Sequence, residues 1–538
     1  MSFEPPLQPG SRQTNLNRLS REVFDVLILG GGINGAGVAR DLALRAHRAN
    51  APLKIALVEQ NHFASGTSGK NSQLIHGGLR YLKYFEFRLV REALHERATL
   101  TEIAPHLVEP LPFLIPMYGH FARLFYGTGL WLYDMLAGAK NIGRHRRLGR
   151  ADVGRLEPGL RLDDLVSGAI FFDCRVHSAR FVLENTVEAA AHGAVIANYV
   201  QAGAPVRAED GAWRVPLRDR LSGREFEARC RKVVNTVGPW AGSDDLRLVR
   251  GSHLILPRLN HSDYAIAYFE ENGRIIFFIP WGSRQQLTLV GTTDVDHTTG
   301  PDEVRISAEE VAYLMRIVRQ LFPEAAGVEP VSSYSSLRPL VRDDSDSPTS
   351  TSRQHRIWNS PEGILHVAGG KYTTYRAMSE EAADLVVAEL APRLREVHLT
   401  ASTPLNGNSR AAFESTVRRS AELAREHGIE EQQVRHIVQD YGVQTGAVLR
   451  HVRHGDAACL PACEAAQIAY AVRHEMASHL GDFLFVSTYL GYERRWDAEF
   501  LVPYAREMGN HLGWDADRQT EEIAAVLRAT HTPREAAP

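Results

Sequence analysis

The chain lacks the features that mark several protein classes. It has four cysteines, Cys174, Cys230, Cys459 and Cys463, in 538 residues. They are too few and too scattered for a disulfide framework, which favours a reducing compartment. Cys459 and Cys463 have no second ligand pair, so they do not indicate a zinc site. The formal net charge is only −3, and this composition gives no sign of nucleic-acid binding.

Long apolar segments are also missing. No apolar run reaches the roughly 18 residues that a membrane-spanning helix needs. Residues 1–22 are polar, contain proline and have no apolar central region, so we expect an N-terminal tail without a signal peptide. What the sequence does contain is 44% apolar residues and enough length for two or three domains with large cores.

The most informative stretch runs from Phe24 to Gly37. Residues 26–29 form an apolar run typical of a buried parallel strand, and helical spacing of apolar residues follows the glycines. A G-x-G-x-x-G between a strand and a helix predicts dinucleotide binding, with a pyrophosphate at the helix N-terminus. The residues expected at this turn are Gly30, Gly32, Ile33, Asn34 and Gly35.

A second apolar strand, residues 55–58, ends at Glu59, whose carboxylate can accept hydrogen bonds from a ribose. The small and hydroxyl residues that follow predict a loop, which we expect to carry Thr67 and Ser68 past the cofactor. Residues 74–82 then place His76, Arg80 and Tyr81 around a glycine pair, and residues 86–104 predict an amphipathic helix.

Three of these stretches, FDVLILGGGINGAGVARD, ASGTS and LIHGGLRYLKYFEFRLVREAL, resemble the FAD-dependent glycerol-3-phosphate dehydrogenases. That family comprises membrane-associated, quinone-linked flavoenzymes and their oxidase relatives. Further matches are N-x-x-G-P-W at 235–240, G-S-H at 251–253, G-T-T-D at 291–294 and R-P-L at 338–340. The resemblance is dense over residues 22–390 and looser beyond them.

The resemblance implies an α/β + α architecture. We expect a Rossmann-like FAD-binding domain, a substrate domain with an antiparallel sheet, and a C-terminal helical domain. The oxidoreductase region would span 23–395 and the helical domain 400–530. Within the oxidoreductase region, the expected FAD-binding parts are 23–85, 171–242 and 360–392. The expected substrate and membrane-contact parts are 86–170 and 243–359.

The resemblance also implies the reaction: oxidation of sn-glycerol 3-phosphate to dihydroxyacetone phosphate, with electrons passed through FAD to a quinone. His76 is the candidate base, and the alternative is a histidine that only hydrogen-bonds substrate. Lys371 would polarise the developing carbonyl or lie near the flavin. The expected substrate contacts are Arg80, Tyr81, Thr293, Arg338 and Arg353, and the further cofactor contacts are Gly238, Gly370 and Thr373.

One position departs from the family. The segment before I-H-G-G usually reads S-S-K-L, whereas residues 71–74 here read N-S-Q-L, with Gln73 in place of the lysine. This change leaves open how the protein bonds the cofactor there, and which acceptor takes the electrons.

Residues 121–150 combine an aromatic-rich apolar run with a basic cluster that includes Arg144, Arg146 and Arg147. Such a segment suits a monotopic contact with an anionic membrane, and the alternative is a core helix followed by a solvated loop. The resemblance favours the membrane contact, on the cytoplasmic face of the cell membrane.

Other functions remain open at this point. A glycine-oxidase-type amine oxidase shares the FAD domain, a glycerol-3-phosphate oxidase would use dioxygen, and a non-enzymatic flavoprotein would need no such polar pocket. Three arginines in family motifs favour a phosphate over a carboxylate. Whether the chain forms a homodimer is open.

Overall fold

The structure is a computed structural model. It describes residues 11–242, 246–270, 273–282, 286–302, 304–342, 354–453 and 460–535, and leaves out the side chains of residues 120–125.

The strands of the described residues, in chain order, are β1 Val23–Leu29, β2 Ile55–Val58, β3 Leu74–Ile75, β4 Val108–Tyr118, β5 Arg146–Gly149, β6 Leu165–Val176, β7 Val195–Ala197, β8 Val200–Ala202, β9 Val206–Arg207, β10 Trp213–Asp219, β11 Glu225–Asn235, β12 Leu246–Pro257, β13 Ala265–Phe269, β14 Ile275–Trp281, β15 Leu287–Gly291, β16 Val295–Asp296, β17 Ser332–Val341, β18 His355–Asn359 and β19 Leu365–Gly369.

The α-helices of the same residues are α1 Ser11–Arg21, α2 Ile33–Arg48, α3 Phe87–Ile103, α4 His120–Ala137, α5 Arg150–Leu156, α6 Ser178–Ala191, α7 Ala308–Leu321, α8 Tyr375–Leu390, α9 Arg410–Arg418, α10 Ser420–His427, α11 Glu431–Tyr441, α12 Thr445–Leu449, α13 Ala462–His474, α14 Leu480–Asp482, α15 Ala498–Leu512 and α16 Ala516–Thr530. Short 3₁₀ helices at Leu79–Tyr84, Gly238–Ala241 and Tyr372–Thr374 carry site residues.

The first sheet has the order β18-β19-β11-β1-β2-β7, and β10 pairs with the N-terminal half of β11. Strands β19, β11, β1, β2 and β7 are parallel, and helices α2, α6 and α8 pack together beside them. The buried apolar runs of β1 and β2 explain this central position. In such sheets ligands bind beyond the carboxyl ends of the strands, which is where the glycine turns lie.

The second sheet has the order β16-β12-β15-β14-β13-β4-β6-β3, with β17 paired to β12. It is antiparallel apart from the β13–β4 pair. Strands β3 and β6 belong to this sheet because β6 pairs with β4 along nearly its whole length. The boundary expected at residue 171 therefore falls inside a substrate-sheet strand and does not separate the two parts.

The N-terminal residues are not a plain tail. Residues 11–21 form helix α1, with Leu16 and Leu19 buried against the first sheet. Arg12 donates to the Asp219 carboxylate at 2.6 Å and to the backbone oxygen of Asn198 at 2.8 Å. The sequence prediction missed this helix because its two apolar side chains stand alone in a polar segment.

Residues from α9 to α16 form a helical C-terminal region with its own buried clusters. Arg180 of α6 ties this region to the rest of the chain. Its guanidinium pairs with Glu475 at 3.0 Å and lies over the Tyr441 ring at 3.8 Å. Across the described helices, none combines the length and the apolarity needed to cross a membrane.

Candidate active site

A cavity of about 670 Å³ lies where the two sheets meet. Its walls come from the turn after β1, the loop after β2, the 3₁₀ helix at Leu79–Tyr84, strands β14 and β17, and the turn after β19. Motifs far apart in the sequence therefore meet at one place. The predicted site residues that line it are Gly30, Gly32, Ile33, Asn34, Glu59, Thr67, Ser68, His76, Arg80, Tyr81, Gly238, Arg338, Gly370 and Lys371.

One end of the cavity is a dinucleotide cradle. Gly30 has a φ of +102°, and a Cβ there would come within 2.8 Å of the Thr236 backbone oxygen. A Cβ on Gly35 would be 1.9 Å from the Gly30 oxygen, so only glycine lets α2 start this close to β1. The Ile33 N–H at the start of α2 donates to the Ser68 hydroxyl at 3.0 Å, and both residues line the cavity. A helix start in a cavity wall suits a pyrophosphate.

Glu59 closes the same end. Its carboxylate accepts hydrogen bonds from the backbone N–H of Gly31 at 2.6 Å and of Asn61 at 2.9 Å. These two bonds fix the side chain at the end of β2, in the position expected for a ribose contact. Burial raises the pKa of Glu59, and the backbone bonds act against that rise.

The loop after β2 is tied to strand β17 by three hydrogen bonds. The Thr67 hydroxyl donates to the Leu337 oxygen at 2.5 Å. The Ser336 hydroxyl donates to the Lys70 oxygen at 2.5 Å, and the Tyr334 hydroxyl donates to the Asn71 oxygen at 2.6 Å. A segment predicted only as a loop is thus held firmly across the cavity wall.

His76 lines the same cavity as the cradle. Its backbone N–H donates to the Thr373 hydroxyl at 3.1 Å, and that hydroxyl lies 3.2 Å from the His76 oxygen. Thr373 is buried and positions His76 without lining the cavity. The following Gly77 N–H donates to Asp173 at 3.2 Å, and Asp173 pairs with Arg97 at 2.7 Å.

Burial and the nearby cations Lys371 and Arg80 lower the pKa of His76 to about 3. The imidazole is therefore neutral at physiological pH and can accept a proton. A bound anion would offset the cations and raise this pKa toward the working range.

Lys371 and Tyr81 meet beside His76. The Lys371 ammonium lies 3.8 Å from the centroid of the Tyr81 ring, a cation–π contact. Gly78, with a φ of +81°, makes room for both, because a Cβ there would lie 2.4 Å from the Tyr81 ring and 2.8 Å from the Lys371 nitrogen. The glycine pair thus brings a cation and an aromatic ring against the histidine.

The third feature of the cavity is a group of arginines around Asp294. Arg338 donates to the Asp294 carboxylate at 2.8 Å and to the Thr292 hydroxyl at 2.9 Å. Arg80 lies 3.9 Å from the other oxygen of the same carboxylate. Arg274 donates to the Asp294 backbone oxygen at 2.6 Å. Two guanidinium groups thus face the Asp294 carboxylate and a third bonds its backbone, so among these groups the cations outnumber the carboxylate, an arrangement that suits an anion.

Two of the predicted substrate residues need comment. Thr293 does not face the cavity, because its hydroxyl donates to the buried Glu310 at 2.6 Å and accepts from the Ser252 N–H. Its neighbour Thr292 lines the cavity, as expected when successive residues of an extended chain point to opposite sides. Arg353 lies outside the described residues.

Sequence reasoning also missed Arg274 and Asp294. Asp294 ends the matched G-T-T-D element at 291–294, and that match was the available signal. Arg274 precedes an apolar strand without any motif, so nothing in the sequence singled it out.

The comparisons with known proteins agree with this geometry. Residues 25–385 match the family model described as FAD dependent oxidoreductase, and residues 398–519 match the C-terminal domain of alpha-glycerophosphate oxidase. A glycerol-3-phosphate dehydrogenase of Mycobacterium leprae is 34% identical over 96% of this chain and 90% of its own length. The chain belongs to the FAD-dependent glycerol-3-phosphate dehydrogenase family.

Two further glycerol-3-phosphate dehydrogenases are similar to this chain in sequence or in structure. A glycerol-3-phosphate dehydrogenase of Pseudomonas aeruginosa is 35% identical over 87% of this chain and 92% of its own length. The X-ray structure of the Bacillus halodurans glycerol-3-phosphate dehydrogenase, complexed with FAD, superposes with a TM-score of 0.77 at 26% identity. It covers 97% of this chain and 98% of that one.

The residues present fit FAD. The glycine turn leaves no room for a Cβ at Gly30 or Gly35, Glu59 is fixed for a ribose, and the cavity continues from there to His76 and Lys371. The family and the cradle together identify FAD as the cofactor. The glycine turn, Ser68 and Glu59 would hold its nucleotide part, and the turn at Gly370 lines the same cavity.

A separate surface lies outside the cavity. Helix α4 buries Leu130 and Tyr133 but exposes 59% of Trp131 and 54% of Met135. The 3₁₀ helix that packs against α4 ends at Tyr84 and is followed by Phe85, which is 76% exposed. Arg147 lies within 3.1 Å of the position a Cβ on Gly127 would take, so the basic strand β5 borders the same helix. We refer to the exposed side chains Phe85, Phe87, Trp131 and Met135 as the apolar patch.

Proposed function

We propose that this chain oxidises sn-glycerol 3-phosphate to dihydroxyacetone phosphate, with FAD as the cofactor. The observation that carries the proposal is the arginine group around Asp294, which opens into the same cavity as His76, Lys371 and the dinucleotide cradle. This reaction needs a phosphate-binding group, a proton acceptor and a cofactor site in one cavity.

The substrate phosphate would be held by Arg338 and Arg80. A guanidinium fork binds phosphate oxygens through two parallel hydrogen bonds. Arg338 is presented from β17, where Ser336, Leu337 and Tyr334 are already tied to the cofactor loop. The phosphate end and the cofactor loop are therefore positioned by the same strand.

His76 would accept the proton of the C2 hydroxyl, because it is neutral and lines the cavity. Bound FAD supplies the redox chemistry by accepting the hydride from C2 at its N5. Lys371, held over the Tyr81 ring, would donate a hydrogen bond to the C2 oxygen as it becomes a carbonyl. Tyr81 offers a further hydroxyl along the wall.

The competing function is an amine oxidase of the glycine-oxidase type, which would use the arginines for a carboxylate. Steady-state assays of the purified holoprotein with glycerol 3-phosphate, glycine and sarcosine decide between the two. We expect turnover with glycerol 3-phosphate and none with the amino acids. Turnover of glycine or sarcosine alone would reject the proposal.

We propose a quinone as the electron acceptor. The cavity is also lined by apolar aromatic side chains, those of Phe113, Phe171, Phe269 and Phe277. Such a wall suits an apolar ring. Turnover with a soluble ubiquinone analogue, followed together with peroxide release in air, tests this: fast quinone reduction with little peroxide supports it, and stoichiometric peroxide would favour dioxygen.

We further propose that the protein attaches to the cytoplasmic face of the cell membrane. The apolar patch lies on α4 and on the two elements that pack against it, and of the exposed arginines at 144, 146 and 147, Arg147 borders the same helix. Aromatic side chains at the headgroup boundary and cations toward anionic lipid are the usual elements of a monotopic contact. A quinone reductase needs this location because its acceptor is dissolved in the bilayer.

A further inference from the structure

The position where this chain departs from its family is turned away from the cavity. Gln73 is buried, and its amide nitrogen donates to the Gly69 oxygen at 3.2 Å. Its amide oxygen accepts from the Ser178 N–H at 3.0 Å and from the Tyr489 hydroxyl at 2.9 Å. Gln73 therefore links the cofactor loop to the C-terminal region and offers nothing to the cofactor.

Another residue of the same loop carries a positive charge at the cavity. Lys70 lies three positions earlier and lines the cavity. Within the described part of the chain, its ammonium makes no ion pair or hydrogen bond with a protein group. Burial lowers its pKa, and no carboxylate acts against that shift. Lys70 is half-buried in the cavity wall, and a partly desolvated ammonium there favours an anionic ligand beside it.

The backbone of Lys70 is fixed, so this placement is built into the loop. Its carbonyl accepts from Ser336, and the preceding Gly69 is so tightly packed that a Cβ would lie 2.3 Å from the Ala64 oxygen. Ser336 and Arg338 are two residues apart on β17, and both line the cavity. Lys70 is thus anchored beside the arginine end of the cavity, past Ser68 at the cradle.

We propose that Lys70 is a cation that stabilises the reduced flavin in this protein. Reduction adds negative charge to the pyrimidine part of the ring, and a fixed positive charge near it favours the reduced state. Lys70 acts as an electrostatic positioning residue, not as an acid or base. The inference rests on the FAD assignment and not on the identity of the substrate.

The test uses holoprotein and sulfite, which adds to oxidised flavin more tightly when a cation lies near the ring. Lys70→Met should weaken sulfite binding by about tenfold or more and lower the flavin midpoint potential, because one unit charge is lost at short range. Lys70→Arg should keep both values close to wild type. Lys54→Met is the matched control, since Lys54 is exposed and pairs with Glu22 on the surface.

Two results would overturn the proposal. One is a Lys70→Met protein with wild-type sulfite affinity and midpoint potential. The other is a loss of FAD affinity with an unchanged potential, which would place the ammonium at the pyrophosphate. If Lys70→Met does not retain FAD, Lys70→Gln is measured in its place, and the same two outcomes apply. Neither readout needs glycerol 3-phosphate, so a failure here is distinct from a failure of the proposed substrate.

Discussion

Asp294 and Arg338 form an ion pair of 2.8 Å in the wall of the cavity, and the second oxygen of the same carboxylate faces Arg80 at 3.9 Å. The two arginines that we assign to the substrate phosphate are thus held in place by one carboxylate before any ligand is present. Orientation of this kind reduces the entropy lost when the phosphate binds. It also means that the phosphate must compete with a resident negative charge.

Replacing Arg338 tests whether this residue binds the substrate phosphate. Charge-assisted hydrogen bonds contribute roughly 1.5–3 kcal/mol each, so Arg338→Ala should raise the KM for glycerol 3-phosphate about ten- to a hundredfold. Arg338→Lys keeps the charge but loses the fork and should remain impaired. FAD content should stay normal. An equal loss of turnover with glycerol 3-phosphate and with unphosphorylated glycerol would show that Arg338 does not bind the phosphate group.

Asp294→Asn removes the resident charge and keeps a hydrogen-bond acceptor for Arg338. We expect inorganic phosphate to become a stronger competitive inhibitor, by a factor of about three to ten, because the net positive charge of the group rises. The inhibition constant of phosphate in steady-state assays measures this. Unchanged or weaker inhibition would mean that Asp294 matters for arginine geometry more than for charge.

His253 gives a prediction on pH and stability. It is buried, its Nε2 lies 2.9 Å from the Ser72 hydroxyl, and burial lowers its pKa to about 3. The unfolded chain protonates this group below its ordinary pKa of about 6.5 while the folded chain does not, so it contributes a loss of stability as pH falls from about 6.5 to about 3.

His253→Gln removes this proton linkage. Between pH 7 and pH 5, the free energy of unfolding of the wild type should fall by about 2 kcal/mol relative to that of the variant. The thermal unfolding midpoint of the variant should therefore shift less on acidification than that of the wild type. The exposed His531→Gln is the control and should follow wild type at every pH. Parallel curves for His253→Gln and wild type would contradict the prediction.

The membrane proposal predicts that flotation with liposomes requires anionic lipid and weakens with salt. Changing Arg144, Arg146 and Arg147 together to serine should reduce flotation, and Trp131→Ser should do so even at low salt because the apolar contact is lost. Leu221→Ser, at an exposed apolar residue just after β10, is the control. Flotation that survives both the triple change and Trp131→Ser would place the attachment elsewhere.

Much of the cofactor end followed from the sequence because its signals are local. A buried strand, a glycine turn, a helix start and a terminal Glu59 constrain one another within about 35 residues, and the structure keeps that order. The parallel sheet around β1 and the C-terminal helices likewise follow from periodicity.

The substrate end was predicted less well because it depends on pairing between distant strands. Thr293 and Thr292 differ only in which side of the chain they face, and the register of β12, β15 and β17 decides this. Arg274 and Lys70 carry no motif and reach the cavity only through the fold. Helix α1 escaped prediction because Arg12 and two leucines find their partners almost 200 residues away.

The central claim is that bound FAD is reduced by glycerol 3-phosphate in this cavity. The most direct measurement is an anaerobic titration of the purified yellow holoprotein, followed by flavin absorbance, with glycerol 3-phosphate, glycerol, glycine and sarcosine in separate cuvettes. The account predicts that glycerol 3-phosphate bleaches the flavin bands at low concentration and that the amino acids leave them unchanged. Bleaching by glycine or sarcosine but not by glycerol 3-phosphate, or a colourless protein that FAD does not reconstitute, would contradict it.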